Sequence, residues 1–337
     1  MNASPTTKNT FSRLGLAVAV LMIATTVGEY TIAFLLLWLD PALASAWWAN
    51  WLVSIVPLYG FGLPLMYLTL CTLPPAPHNA TCSNGFISYE KPAFGAKDWV
   101  RILFIGFGCM YIGSIVGSVL MNVLSGLTGY PYANALEEMM DTSPRWATLI
   151  GTCVVAPLGE EFIFRKLFID RARRFGDTPA ILFSGILFGL FHGNLFQFFY
   201  AAALGILLAY IYTRTGNIWL TVAMHAVVNL VGGVIVPALT EMIPEDITMS
   251  VTLPQMLVSL LISVWAYGVI AIAIVLVIQR FKWRVLSPSP DLRPTRGVLQ
   301  DAIGNPGMIA ALAVLGLTVL ATLIIPVVQY YLEQLLL

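Results

Sequence analysis

Nine apolar runs divide the chain, at about 15–39, 47–71, 100–125, 146–170, 179–197, 198–214, 217–239, 254–280 and 308–331. Several exceed the roughly 18 residues that a helix needs to cross a bilayer. None alternates apolar and polar positions with a period of two. Spanning segments must satisfy their backbone internally, so the pattern predicts helices rather than a barrel. The expected fold class is all-α, a polytopic membrane helical bundle of about nine transmembrane helices. The longest connections, 72–99, 126–144 and 281–307, have loop composition and are too short to fold alone. With no internal repeat, a single integral membrane domain over 1–337 is the simplest organisation.

Charge placement tests that count. Of the 337 residues, 58% are hydrophobic and 10% are charged, against about 25% charged in an ordinary soluble domain; mean hydropathy is +0.84. With the N-terminus in the cytosol and sides alternating, sixteen of the seventeen Lys and Arg fall in cytosolic segments or at cytosolic helix ends. Only Arg145 lands outside, where Glu137, Glu138, Asp141, Glu241, Glu245 and Asp246 gather instead. This is the asymmetry of the positive-inside rule, and it predicts a multi-pass protein of the cell membrane with a cytosolic N-terminus. The net charge of zero hides that polarity and argues against nucleic acid as a partner.

Smaller features receive plain readings. Cys71, Cys82, Cys109 and Cys153 show no CxxC spacing, and none is expected on the oxidising side, so disulfides and a zinc-thiolate site are not expected. "ALASA" at 42–46 follows an apolar run too long for a signal peptide, which predicts an uncleaved anchor. The sequon Asn79-Ala80-Thr81 falls in a cytosolic loop. Arg171, Arg173 and Arg174 read as a topology signal facing an anionic leaflet, and Trp47, Trp48 and Trp51 as an interfacial belt.

The membrane interior carries the chemistry. An ionisable side chain at mid-bilayer costs about 2.5–3.5 kcal/mol on insertion scales, yet Glu160 and Glu161 lie inside the fourth run. Adjacent helical residues point about 100° apart, so the two acids cannot share a face. Glu161 precedes Arg165 by four residues, the favourable order for an ion pair. That assigns Glu161 and Arg165 to structural support and leaves Glu160 to point into the bundle. Of the three histidines, His78 is in a loop; His192 and His225 lie in the fifth and seventh runs. Their depths, roughly 20 and 12 Å from the cytosolic ends, bracket the roughly 15–20 Å of Glu160. The three groups are expected to meet in the cytosolic half of the bilayer, in a cavity facing the cytosol. Asn229 shares a helix face with His225, and Gly185, Gly189 and Gly193 have the spacing that lets helices approach closely. Glu29, in the first run, is an orphan acid that would either line the cavity or be satisfied by Thr25 or Tyr30.

A carboxylate, two imidazoles and an amide in a low-dielectric cavity can take a proton from water, return it to a leaving amine and stabilise an oxyanion. No serine or cysteine stands beside them as a nucleophile, which favours attack by activated water. The same set also permits zinc, since Glu160, His192 and His225 have the composition of a catalytic His₂Glu site. Two other classes use these residues differently: a proton-coupled transporter, which would relay protons through them, and a catalytically idle immunity or scaffold protein. Transporters usually carry internal repeats, and this chain has none.

Three motifs resemble one family. Glu160-Glu161-Phe-Ile-Phe-Arg165, Phe188-Gly-Leu-Phe-His192 and His225-Ala-Val-Val-Asn229 are similar, in order and spacing, to the hallmarks of the prenyl-protein (CAAX) protease and bacteriocin-processing intramembrane proteases. The resemblance covers roughly residues 100–240, the expected catalytic core. It implies an eight-helix core, to which this chain would add one span. It also implies a glutamate-dependent peptidase in which Glu160 and His192 activate water and His225 with Asn229 form the oxyanion site. No cofactor is then expected. The implied partner is a membrane-anchored peptide or protein, such as a prenylated tail or a leader peptide.

Overall fold

A computed structural model describes residues 6–76, 95–243, 252–283 and 297–336. His78, Cys82, the Asn79–Thr81 sequon, Lys91, Glu245, Asp246, Arg284, Arg293 and Arg296 lie outside the described residues. The described chain is a bundle of helices: α1 Thr7–Leu39, α2 Trp47–Leu70, α3 Ala96–Thr128, the short α4 Ala135–Asp141, and α5 Arg145–Phe175. After these come α6 Asp177–Phe191, α7 Leu195–Thr215, α8 Ile218–Thr240, α9 Leu253–Trp283, the short α10 Val298–Ile303 and α11 Pro306–Leu336.

Among the described residues, eight of these helices are long and apolar enough to cross a membrane. The expected count of nine is corrected at α6, whose 15 residues reach only about 22 Å. α6 turns back at His192-Gly193-Asn194 into α7. Gly193 takes φ +70°, in the left-handed region open to glycine, and the Asn194 side chain caps α7 by accepting from Gln197 N at 2.9 Å. The turn stops deep inside the bundle. A Cβ on Gly117 of α3 would sit 2.8 Å from Phe196 O, although α3 continues 11 residues further, about 16 Å, to Thr128. Gly193 O accepts from Thr322, also well short of the end of α11. Because α6 and α7 leave and return at the same end, the shortened pair does not change the side assigned to any later helix.

Contacts between distant segments agree with the alternation. At one end Arg13 donates to Thr72, Ala76 N to Asp170 O, and Gly307 N to Ser12. At the other, Trp51 donates to Ser143, Tyr132 to Leu323 O and Tyr331 to Thr128 O, and Arg145 pairs with Glu241. Outward faces carry large apolar side chains; Leu257, Leu260, Leu261 and Val264 of α9 are each more than half exposed. So broad an apolar surface suits lipid.

Two small-residue contacts form as the spacing predicts. A Cβ on Gly185 would lie 2.4 Å from Ile206 Cγ1, and one on Gly189 2.7 Å from Ala202 Cβ, so α6 and α7 touch through backbone. Gly193 instead makes the turn. The basic run is not a solvated face. Arg171 and Arg173 are buried, as is Arg214. Arg173 pairs with Asp177, and Arg214 reaches the same carboxylate at 3.6 Å. Arg171 Nε and Arg174 donate to Leu73 O and Pro74 O at 2.5 and 2.7 Å. Carbonyls just after α2 thus draw these guanidinium groups inward.

Candidate active site

The site is built on helices whose turns are widened beside prolines. A proline lacks the N–H of the regular i→i−4 bond, and its ring collides with the carbonyl of that turn; an i→i−5 turn relieves both. Ala156 N bonds Gly151 O just before Pro157, and Val236 N bonds Val231 O just before Pro237. The first wide turn precedes the two glutamates on α5, and the second follows Asn229 on α8.

Glu161 points away from open space. It is fully buried, with Oε2 2.9 Å from Arg165 Nε and Oε1 3.1 Å from its Nη2. Arg165 also donates to Ser184 Oγ at 3.0 Å and stacks 5.2 Å over the Phe188 ring. The predicted pair is present, and it has a third member. His225 Nδ1 lies 3.1 Å from Glu161 Oε1, and its Nε2 lies 3.8 Å from Glu160 Oε2. His225 therefore bridges the two acids from α8. A carboxylate only accepts, so Nδ1 carries a proton towards Glu161, and Nε2 is the ring nitrogen turned towards Glu160.

The other histidine is fixed in the same way. His192 Nδ1 is 2.8 Å from Phe188 O, which again places the proton on Nδ1 and leaves the Nε2 lone pair free. Phe188 stands edge-on to both imidazoles, with ring centroids 4.9 Å from His192 and 5.8 Å from His225. Asn229 donates one amide hydrogen to Thr152 O at 2.8 Å, keeping its second N–H for another acceptor.

Glu160, His192, His225 and Asn229 all line one cavity of about 520 Å³, a size ordinary for ligand pockets. Glu161 and Arg165 lie behind its wall. Among the described residues its lining extends to Asn134, Glu137 and Asp141, at the end of the bundle opposite the basic helix ends.

Sequence reasoning missed several wall residues. Tyr59 donates to Val155 O at 3.4 Å, and its ring covers Gly159, where a Cβ would lie 2.0 Å from Cε1. Asn194 donates to His192 O at 2.9 Å and to Gln197 Oε1 at 2.7 Å; Gln197 in turn donates to Tyr200 OH at 2.8 Å. That order leaves the Tyr200 hydroxyl hydrogen available to the cavity. The polar "HGN" step inside a long apolar stretch, with Gln three residues on, was the readable sign. Glu29 does not line this cavity.

Among the described residues, no three His, Cys, Asp or Glu side chains are grouped so as to hold a metal ion. Glu160, His192 and His225 are not grouped in that way.

Comparison with known proteins follows the motifs. Residues 142–231 match the family described as Type II CAAX prenyl endopeptidase Rce1-like, a segment that contains all three motifs. Over 82 residues the chain is 32% identical to the Bacillus subtilis (strain 168) protein named "Putative membrane peptidase YdiL". That alignment covers 24% of this chain and 34% of the relative, so the chain spans about a third of the length of the curated protein it matches. No solved structure matches. The resemblance read from the motifs is thereby shown over the segment that carries them.

Proposed function

We propose that the protein is an intramembrane endopeptidase, which hydrolyses a peptide bond of a membrane-associated substrate with water activated by Glu160 and its histidines. One observation carries the reading: Glu160, His192, His225 and Asn229, from three helices, converge on a single cavity. His192, with its proton held by Phe188 O, offers Nε2 to orient the water. Glu160 takes the water proton and shares it with His225 Nε2, 3.8 Å away. The water oxygen bonds to the acyl carbon. Once protonated, His225 becomes a donor at Nε2 and joins the second Asn229 N–H in holding the oxyanion. When the intermediate collapses the C–N bond breaks, the proton passes to the amine nitrogen, and an acid and an amine leave.

The charge asymmetry supports placing the basic helix ends and the N-terminus in the cytosol. Glu160→Gln keeps the shape and removes the base. Its cleavage rate should fall about 10²–10⁴-fold while the unfolding midpoint stays put. Mass spectrometry of membrane-peptide termini, in cells carrying the wild type or the variant, reads the change. Identical termini at equal abundance would refute the assignment.

A further inference from the structure

A chain of amide hydrogen bonds runs from His192 along the start of α7 to a hydroxyl in the cavity wall. Its direction is fixed on both sides of Asn194. His192 O can only accept, so the Asn194 amide turns Nδ2 towards it, at 2.9 Å. Gln197 N can only donate, and Asn194 Oδ1 meets it at 2.9 Å. The remaining Nδ2 hydrogen meets Gln197 Oε1 at 2.7 Å, which points Gln197 Nε2 at the Tyr200 oxygen, 2.8 Å away. That oxygen must accept, so the tyrosine's own hydrogen points elsewhere. None of the hydrogen bonds formed among the described residues takes it.

Packing holds the tyrosine in place. A Cβ on Gly113 of α3 would lie 2.3 Å from Tyr200 Cα, so the two helices meet there backbone to backbone. Gln197 is buried, and both it and Tyr200 line the cavity with Glu160, His192 and Asn229. The Glu160 carboxylate interacts electrostatically with Tyr200. An oriented O–H beside the reacting groups, in a low-dielectric wall, suits a developing oxyanion.

We propose that Tyr200 is a further catalytic residue, donating its O–H to the oxygen of the reacting acyl group, and that Gln197 is its positioning residue. The proposal rests on the endopeptidase reading above and adds a third donor to His225 and Asn229. Because the chain of bonds starts at His192 O, the donor keeps a fixed register to the imidazole that orients the water.

Cells carrying the wild type, Glu160→Gln or Tyr200→Phe are compared first, by mass spectrometry of membrane-peptide termini. A quenched fluorescent peptide spanning a terminus lost in Glu160→Gln then gives kcat and KM in detergent, per folded enzyme. Tyr200→Phe should lower kcat about 10²–10³-fold with little change in KM. Gln197→Met leaves the hydroxyl free to turn. It should lower kcat in the wild-type background and cause no further loss in Tyr200→Phe, a non-additivity that a merely structural glutamine would not give. Should Tyr200→Phe fold poorly, Gln197→Met keeps the ring and its hydroxyl and decides alone. A wild-type kcat in Tyr200→Phe or Gln197→Met overturns the proposal, as does a change in KM alone. Equal losses from Gln197→Met in both backgrounds overturn the positioning role. The two readings fail separately: termini unchanged in Glu160→Gln sink the endopeptidase, whereas termini lost in Glu160→Gln but made at the wild-type rate in Tyr200→Phe sink only this donor.

Discussion

Arg165→Leu isolates the brace behind the catalytic wall. Arg165 and Glu161 are both 0% exposed. The substitution removes contacts at 2.9 and 3.1 Å to Glu161 and one at 3.0 Å to Ser184. Ser184 loses little, because it still donates to Phe164 O. Glu161 loses its countercharge in a dry interior, and breaking a buried pair from one side costs about 3–5 kcal/mol. The double variant Glu161→Leu/Arg165→Leu removes the stranded charge as well. What it leaves is His225 Nδ1 without an acceptor, worth about 1–3 kcal/mol. The double should therefore be more stable than the single by about 2 kcal/mol, the difference between those ranges. The double should also be inactive, because His225 has lost the carboxylate that orients it. Equilibrium denaturation in detergent micelles measures the three proteins side by side. A double variant no more stable than Arg165→Leu would refute the claim that an uncompensated carboxylate dominates the loss.

Three further outcomes follow from the same geometry. Asn229→Ala should lower kcat about 10²–10³-fold with little change in KM; a KM effect alone would assign Asn229 to substrate binding. Gly159→Ala would set a methyl 2.0 Å from Tyr59 Cε1, so it should destabilise by about 1–3 kcal/mol, read as a lower unfolding midpoint in detergent; an unchanged midpoint would mean that the Tyr59 ring yields freely. Dialysis against a strong zinc chelator should leave cleavage unchanged, whereas activity lost and then restored by added zinc would overturn the metal-free mechanism.

The site was legible because its residues are so expensive where they stand. Glu160, His192 and His225 interrupt apolar runs, and helix spacing alone pairs Glu161 with Arg165. Spacing along one helix says nothing of the next, which is why the link between His225 and Glu161 stayed hidden. The apolar run at 179–197 looked like a full crossing, but its helix, Asp177–Phe191, has only 15 residues. Hydropathy records what surrounds a helix, and protein packing around a short hairpin is as apolar as lipid. The buried Arg171 and Arg173 were misread because a positive charge near a helix end looks the same whether it faces headgroups or a neighbouring carbonyl.

The order of synthesis gives the bridge between Glu161 and His225 a further consequence. These partners are 64 residues apart in the chain. At about 5–20 residues per second, the fourth helix leaves the ribosome roughly 3–13 s before its histidine exists. In that interval two acids must be accepted by the insertion machinery with no imidazole to meet them. Arg165, four residues after Glu161, is made in the same short stretch and travels with them. The ion pair with Arg165, four residues away, can therefore form before the bridge to His225 does.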